Sequence, residues 1–146
     1  MLKTGTETVP AHFSPSSRSS PYLDLIGPIY ESGNGSNYRL GMRIDERHVN
    51  ARGFCHGALL AALADVHLGR LAGLAMEARI PLVTIHLGLD YLASAKIGSW
   101  LEAFGRVDRI GRTLAHSSGM ITADGKEALR CSAVFQITTP AMESKL

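Results

Sequence analysis

Between His48 and Asp65 the chain reads HVNARGFCHGALLAALAD, a stretch that gathers most of the polar side chains able to do chemistry. His48, Asn50 and Arg52 lead to the pair His56-Gly57, and Ala58 to Ala78 are then mostly small or apolar. A glycine opening a helix offers an unpaired backbone N–H at the positive end of the helix dipole, with no side chain in the way. Such an N–H can stabilise negative charge developing on a carbonyl oxygen. Asp65 follows eight residues later, in mid-helix, where a carboxylate is a poor helix former and costly to desolvate unless paired. Ala61 and Gly69, one turn to either side, leave a slot on its face of the helix. On spacing alone a structural carboxylate bonded to loop N–H groups is the commoner outcome for Asp65, and Gly57 fits a plain helix-start glycine equally well.

A helix rises about 1.5 Å per residue, which separates Gly57 from Asp65 by roughly 12 Å along the axis. The two cannot touch one reacting carbon within a single subunit. If both act, the site lies between the subunits of a twofold dimer, N–H from one and carboxylate from the other, with two equivalent sites per dimer.

Other chemistries find no support. There is no P-loop, no G-x-G-x-x-G turn, no H-E-x-x-H helix and no G-x-S-x-G elbow. His48, His56 and His67 are spaced too irregularly for a helical metal face, and Cys55 and Cys131 form no C-x-x-C pair, so neither metal nor cofactor is expected. Cys55 beside His56 reads as a small buried cysteine rather than a nucleophile. A net charge of +2 without any basic block argues against nucleic acid and suits an anionic small molecule.

The elements that must position these residues can be read in outline. With 146 residues, 45% hydrophobic and 19% charged, the chain fits a single domain, expected over residues 20–139 after a flexible arm at 1–19 and before a tail at 140–146. The arm has no apolar h-region, and the absence of cysteine pairing motifs points to a reducing, cytoplasmic setting. Ser20-Pro21 opens a short helix ended by Gly27-Pro28. Strands are predicted near Ile29–Glu31 and Asn37–Ile44, paired as a hairpin, followed by a helix from about Gly57 to Ala78. Asp65, His67 and Arg70 in its middle make this helix the buried core of a soluble protein rather than a membrane span. Beyond it, Val83–Tyr91, Trp100–Asp108, Thr113–Thr122 and Ala128–Thr138 alternate as four strands in a meander, with Thr84 and His86 on one face of the first. Asp124-Gly125 signals a hairpin turn. The class is α+β: about six strands of mainly antiparallel sheet wrapped over one helix.

These residues resemble the hotdog-fold acyl-CoA thioesterases, in particular the phenylacetic-acid-degradation type. His48, Asn50, Gly53, His56, Gly57 and Asp65 match the pattern H-x-N-x-x-G-x-x-H-G-G and the aspartate beyond it, with Ala58 in place of the second glycine. The likeness runs over residues 36–138; Ser94 stands where relatives usually have proline. It implies hydrolysis of an acyl- or aryl-CoA by a dimer that assembles into a tetramer, without cofactor, metal, nucleic acid or membrane. Asp65 would be nucleophile or general base, and Gly57 the oxyanion-hole N–H. Asn50 would place water or thioester, His56 would shape the helix entrance, and the Thr84 hydroxyl would lie near the carboxylate. Tyr91 would border the pantetheine, with Arg109 and Arg112 toward the CoA phosphates; His86 receives no role. Two rivals remain on the same fold: a non-catalytic acyl-CoA-binding module, and an acyl-thioester hydratase or dehydratase, which would need a histidine such as His67 beside the carboxylate.

Overall fold

A computed structural model describes residues 8–76 and 80–138. Seven strands form one antiparallel sheet: β1 (Ser14–Pro15), β2 (Tyr30–Ser32), β3 (Arg39–Arg43), β4 (Leu82–Tyr91), β5 (Trp100–Ile110), β6 (Leu114–Ala123) and β7 (Lys126–Ile137). Their order across the sheet is β1-β2-β3-β5-β6-β7-β4. A short helix α1 (Pro21–Ile26) precedes β2, and the long helix α2 (Gly57–Ala75) lies against the sheet. The expected end of that helix near Ala78 lies outside the described residues.

Local chemistry explains each element. Ser20 caps α1 by accepting from the Leu23 N–H, and Pro21 takes the first helical position, where a missing N–H costs nothing. Asp124 and Gly125 both adopt positive φ, 50° and 81°, the backbone a two-residue β6–β7 hairpin demands. Helix α2 buries Leu60, Leu63, Ala64, His67, Leu68 and Leu71 against Leu40, Met42, Leu101, Ile121 and Leu129 of the sheet. In length and apolarity α2 could cross a membrane, but one face of it is the core of this domain.

Three expectations need correction. The strands after α2 do not form a four-strand meander: β4 pairs with β7 and not with β5. Helix α2 crosses the sheet and delivers the chain to the far edge, where β7 has a free side; residues 92–99 then carry it back to β5. The arm expected at 1–19 is in part ordered into the sheet, which brings the expected count of about six strands to seven. Ser14 and Pro15 pair with Glu31 and Tyr30, and Phe13 is buried edge-on against Trp100, with ring centroids 5.2 Å apart. An aromatic of this size supplies enough buried area to order the segment around it.

The third correction concerns β4. Thr84 stands opposite Phe135, whereas His86 stands opposite Val134, so Ile85 is an extra residue, a β-bulge. The bulge breaks the strict alternation. Thr84 opposes buried Phe135, and Leu87, Leu89 and Tyr91 oppose buried Ala133, Cys131 and Leu129, which places all four on the helix side. His86 is turned to the opposite face.

Candidate active site

The entrance to α2 is held by its loop. Val49 and Cys55 pair across it, and the Asn50 side-chain oxygen accepts from the Arg52 and Phe54 N–H groups at 2.9 and 3.3 Å. Asn50 therefore shapes the loop. His48 is a structural residue: buried, its Nδ1 accepts from the Asp45 N–H and its Nε2 donates to the Ile26 carbonyl at 2.6 Å. The returning chain pins the loop through Cys55 N–H to Ala95 O at 2.8 Å. Burial pushes the Cys55 thiol up to about 11, which removes the thiolate a cysteine nucleophile would need.

At the first turn of α2, His56 is the N-cap. Its Nδ1 accepts from the Ala58 N–H at 3.2 Å, and its carbonyl accepts from the Leu59 N–H at 3.0 Å. The Gly57 N–H has no partner among the described residues and stands at the positive end of a 19-residue helix. Tyr91 covers this turn. Its hydroxyl donates to the Gly57 carbonyl at 2.7 Å, and a Cβ on Gly57 would come within 3.2 Å of its ring. A side chain here would press on the ring, which would have to give by a few tenths of an ångström.

The second group lies in mid-helix. Asp65 is half-buried, and Thr84 Oγ1 donates to its Oδ1 at 2.7 Å. The other carboxylate oxygen makes no bond among the described residues. Both residues line a cleft of about 620 Å³ that continues past Gly69 and Gly73 of the helix and past Leu82 and Phe135 of the sheet. Across it stand Tyr38 and Arg70.

The structure thus brings together two pairs, Gly57 with Tyr91 and Asp65 with Thr84, at opposite ends of β4. It does not bring Arg109 or Arg112 to the first pair. Both are exposed at the β5–β6 hairpin, and Arg109 aligns with His116, five residues along β6 from the row of Ile121, Leu129 and Tyr91, or roughly 17 Å. His67 is buried beneath the helix, donating to the Tyr38 carbonyl at 3.1 Å, and burial pulls its imidazole below its ordinary range. It forms no hydrogen bond with Asp65, so His67 is not the histidine that the hydratase alternative needs. Arg70 was legible only as a cation in an apolar helix; its place on the cleft wall depends on β3 and the helix meeting there.

One helix laid across an antiparallel sheet, with a carboxylate in mid-helix and a free glycine amide at its start, defines the hotdog class. Residues 52–129 match the model of the thioesterase superfamily. The chain is 39% identical over 130 residues to a Pseudomonas aeruginosa protein carrying the name of an esterase, across 88% of this chain and 97% of that one. It is 36% identical over 87 residues to human acyl-coenzyme A thioesterase 13, across 58% of this chain and 61% of that protein. In fold it superposes with a TM-score of 0.67 on a Streptococcus mutans protein solved bound to acetyl CoA, at 23% identity, over 73% of this chain and 85% of that one. The chain belongs to the thioesterase superfamily, and its reaction class is thioester hydrolysis.

Proposed function

We propose that the protein hydrolyses an acyl- or aryl-CoA to the free acid and CoA, in the manner of the phenylacetic-acid-degradation type, at two sites shared across a twofold dimer. Asp65 of one subunit attacks the thioester carbonyl or takes a proton from the attacking water. The Gly57 N–H of the other receives the carbonyl oxygen as it gains charge, and the thiolate of CoA leaves. Asn50 and His56 shape the entrance for the thioester, Tyr91 borders the pantetheine arm, and Arg109 and Arg112 meet the CoA phosphates.

The observation that carries this reading is the position of the two pairs on one edge strand. Strand β4 ends the sheet, and its neighbourhood exposes Ile85, Tyr91 and Leu92. Antiparallel pairing of two β4 edges about a twofold axis near Gly88 sets Thr84 and Asp65 of one subunit beside Tyr91 and Gly57 of the other. Two such dimers associate into a tetramer, for which the outer sheet face around Gly88, Gly105 and Gly119 offers a trough. The cytoplasm suits the two free thiols, Cys55 and Cys131.

The test is release of free thiol from a panel of aryl, hydroxyaryl, short-chain and long-chain acyl-CoA esters, with sedimentation to give the assembly. Tight binding of every ester with no thiol released would overturn the catalytic reading.

A further inference from the structure

We propose that the cleft beside Asp65 ends in a subsite for a carboxylate at the far end of the acyl group, with Arg70 as the residue that selects it. The inference rests on the thioesterase reading of Asp65 and adds the substrate class.

Three observations meet at Arg70. Its guanidinium carbon lies 5.5 Å from the centroid of the Tyr38 ring, which covers the guanidinium face. Its Nε is shielded from solvent and has no acceptor among the described residues. A donor closed to water is closed to a ligand in the same conformation, so the terminal Nη groups of this side chain, which lines the cleft, are the ones a ligand carboxylate would meet. The Tyr38 hydroxyl donates to Glu31, whose carboxylate also accepts from Ser16 and Ser17. Arg18, which is exposed, lines the same cleft, so that two arginines face the single carboxylate of Asp65 among its described lining residues.

The slot runs from the reacting group toward this cation. Asp65, Gly69 and Gly73 lie one turn apart on α2, and a Cβ on Gly73 would meet open space. Arg70 is five residues beyond Asp65, roughly 8 Å along the axis. A chain held by its thioester at Asp65 therefore presents its far end to the guanidinium, whose paired N–H groups match the two oxygens of a carboxylate. A plain alkyl chain would cover the cation without satisfying it.

The experiment compares succinyl-, glutaryl- and adipyl-CoA with butyryl-, valeryl- and hexanoyl-CoA by thiol release, in the unaltered protein and in Arg70→Gln and Arg70→Lys. At least one carboxylate-ended ester should exceed its neutral counterpart in kcat/KM by about tenfold or more. Arg70→Gln should bring that ratio near one, chiefly through KM, and Arg70→Lys should keep part of it. A neutral ester preferred by the unaltered protein, or a ratio unchanged by Arg70→Gln, would overturn the subsite. Should no ester of either series be hydrolysed, the aryl and long-chain panel decides the thioesterase reading. The subsite is then decided by calorimetry of adipyl-CoA against hexanoyl-CoA on Asp65→Asn protein: tighter adipyl-CoA binding, lost on adding Arg70→Gln, supports it, and equal affinities reject it.

Discussion

The hydroxyl of Thr84 donates to Oδ1 of Asp65 at 2.7 Å, tying the edge strand to the middle of the long helix. One oxygen of the carboxylate is thereby fixed, and the other makes no bond among the described residues. Asp65→Asn keeps the size and the hydrogen bond but removes the charge, and should lower kcat by about 10²–10⁴-fold, as loss of a general base does, or by more if Asp65 attacks directly. Thr84→Val should cost roughly tenfold, the equivalent of about 1.4 kcal/mol in the barrier, and Thr84→Ser should recover most of it. Steady-state thiol release with circular dichroism as a folding check decides both. Near-normal hydrolysis by folded Asp65→Asn protein would end the assignment.

At the other end of the strand, the Gly57 N–H can be removed without disturbing the helix. Proline is well tolerated at a first helical position, and His56 before it already has the extended backbone, φ −65° and ψ 134°, that a residue preceding proline prefers. Gly57→Pro brings the same Cβ against the Tyr91 ring as Gly57→Ala, so its melting temperature should match that of the alanine variant while kcat falls by a further roughly 10²–10³-fold, the cost of losing one oxyanion donor. Gly57→Ala keeps the N–H but crowds the Tyr91 ring, so its loss should be smaller and should shrink further when Tyr91→Ala is added. Equal losses in the proline and alanine variants would show sterics, not the amide, at work.

How far these positions could be read without coordinates depends on whether local pattern or topology sets them. Gly57 and Asp65 lie on one helix, and helical rise alone separates them; the cap at Ser20 and the Asp124-Gly125 turn are equally local. The partner of β4 is not local. An alternating strand is compatible with any free edge, and only the path of α2 across the sheet puts β4 beside β7. The Ile85 bulge was invisible for a similar reason: Thr84 and His86 alternate correctly in sequence, and only pairing with Phe135 and Val134 shows that they face opposite ways. Phe13 could not be assigned to the core without Trp100 to receive it, and the cation on the cleft wall needed Tyr38 opposite Arg70.

Sharing of each site between subunits has its own test. Homodimers of Gly57→Pro and of Asp65→Asn each lack a complete site, whereas a heterodimer made by unfolding and refolding the two together contains one intact and one doubly damaged site. Statistical mixing should return about a quarter of the unaltered activity. No recovery despite subunit exchange shown by mass spectrometry would count against the shared site. Independently, Ile85→Lys places a charge on the strand edge, where charges block pairing, and should give a folded monomer without activity. A fully active monomer would contradict the arrangement.

His67 should give the fold a dependence on pH that is separable from catalysis. The ring is 1% exposed, donates to the Tyr38 carbonyl, lies near the Arg39 charge, and has its pKa lowered from 6.5, first by desolvation. The unfolded chain therefore binds more protons than the native one once the pH drops below about 6.5. Stability is fully present above that value and is lost as pH falls from it toward the native pKa, with a slope of at most about 1.4 kcal/mol per pH unit from this group. His67→Gln retains an N–H donor for Tyr38 without a titrating ring, and so should flatten the curve between pH 6.5 and 5, in roughly the window set by the unfolded histidine. Urea midpoints across that range measure it. An acid limb of unchanged slope in the variant would assign the loss to other groups.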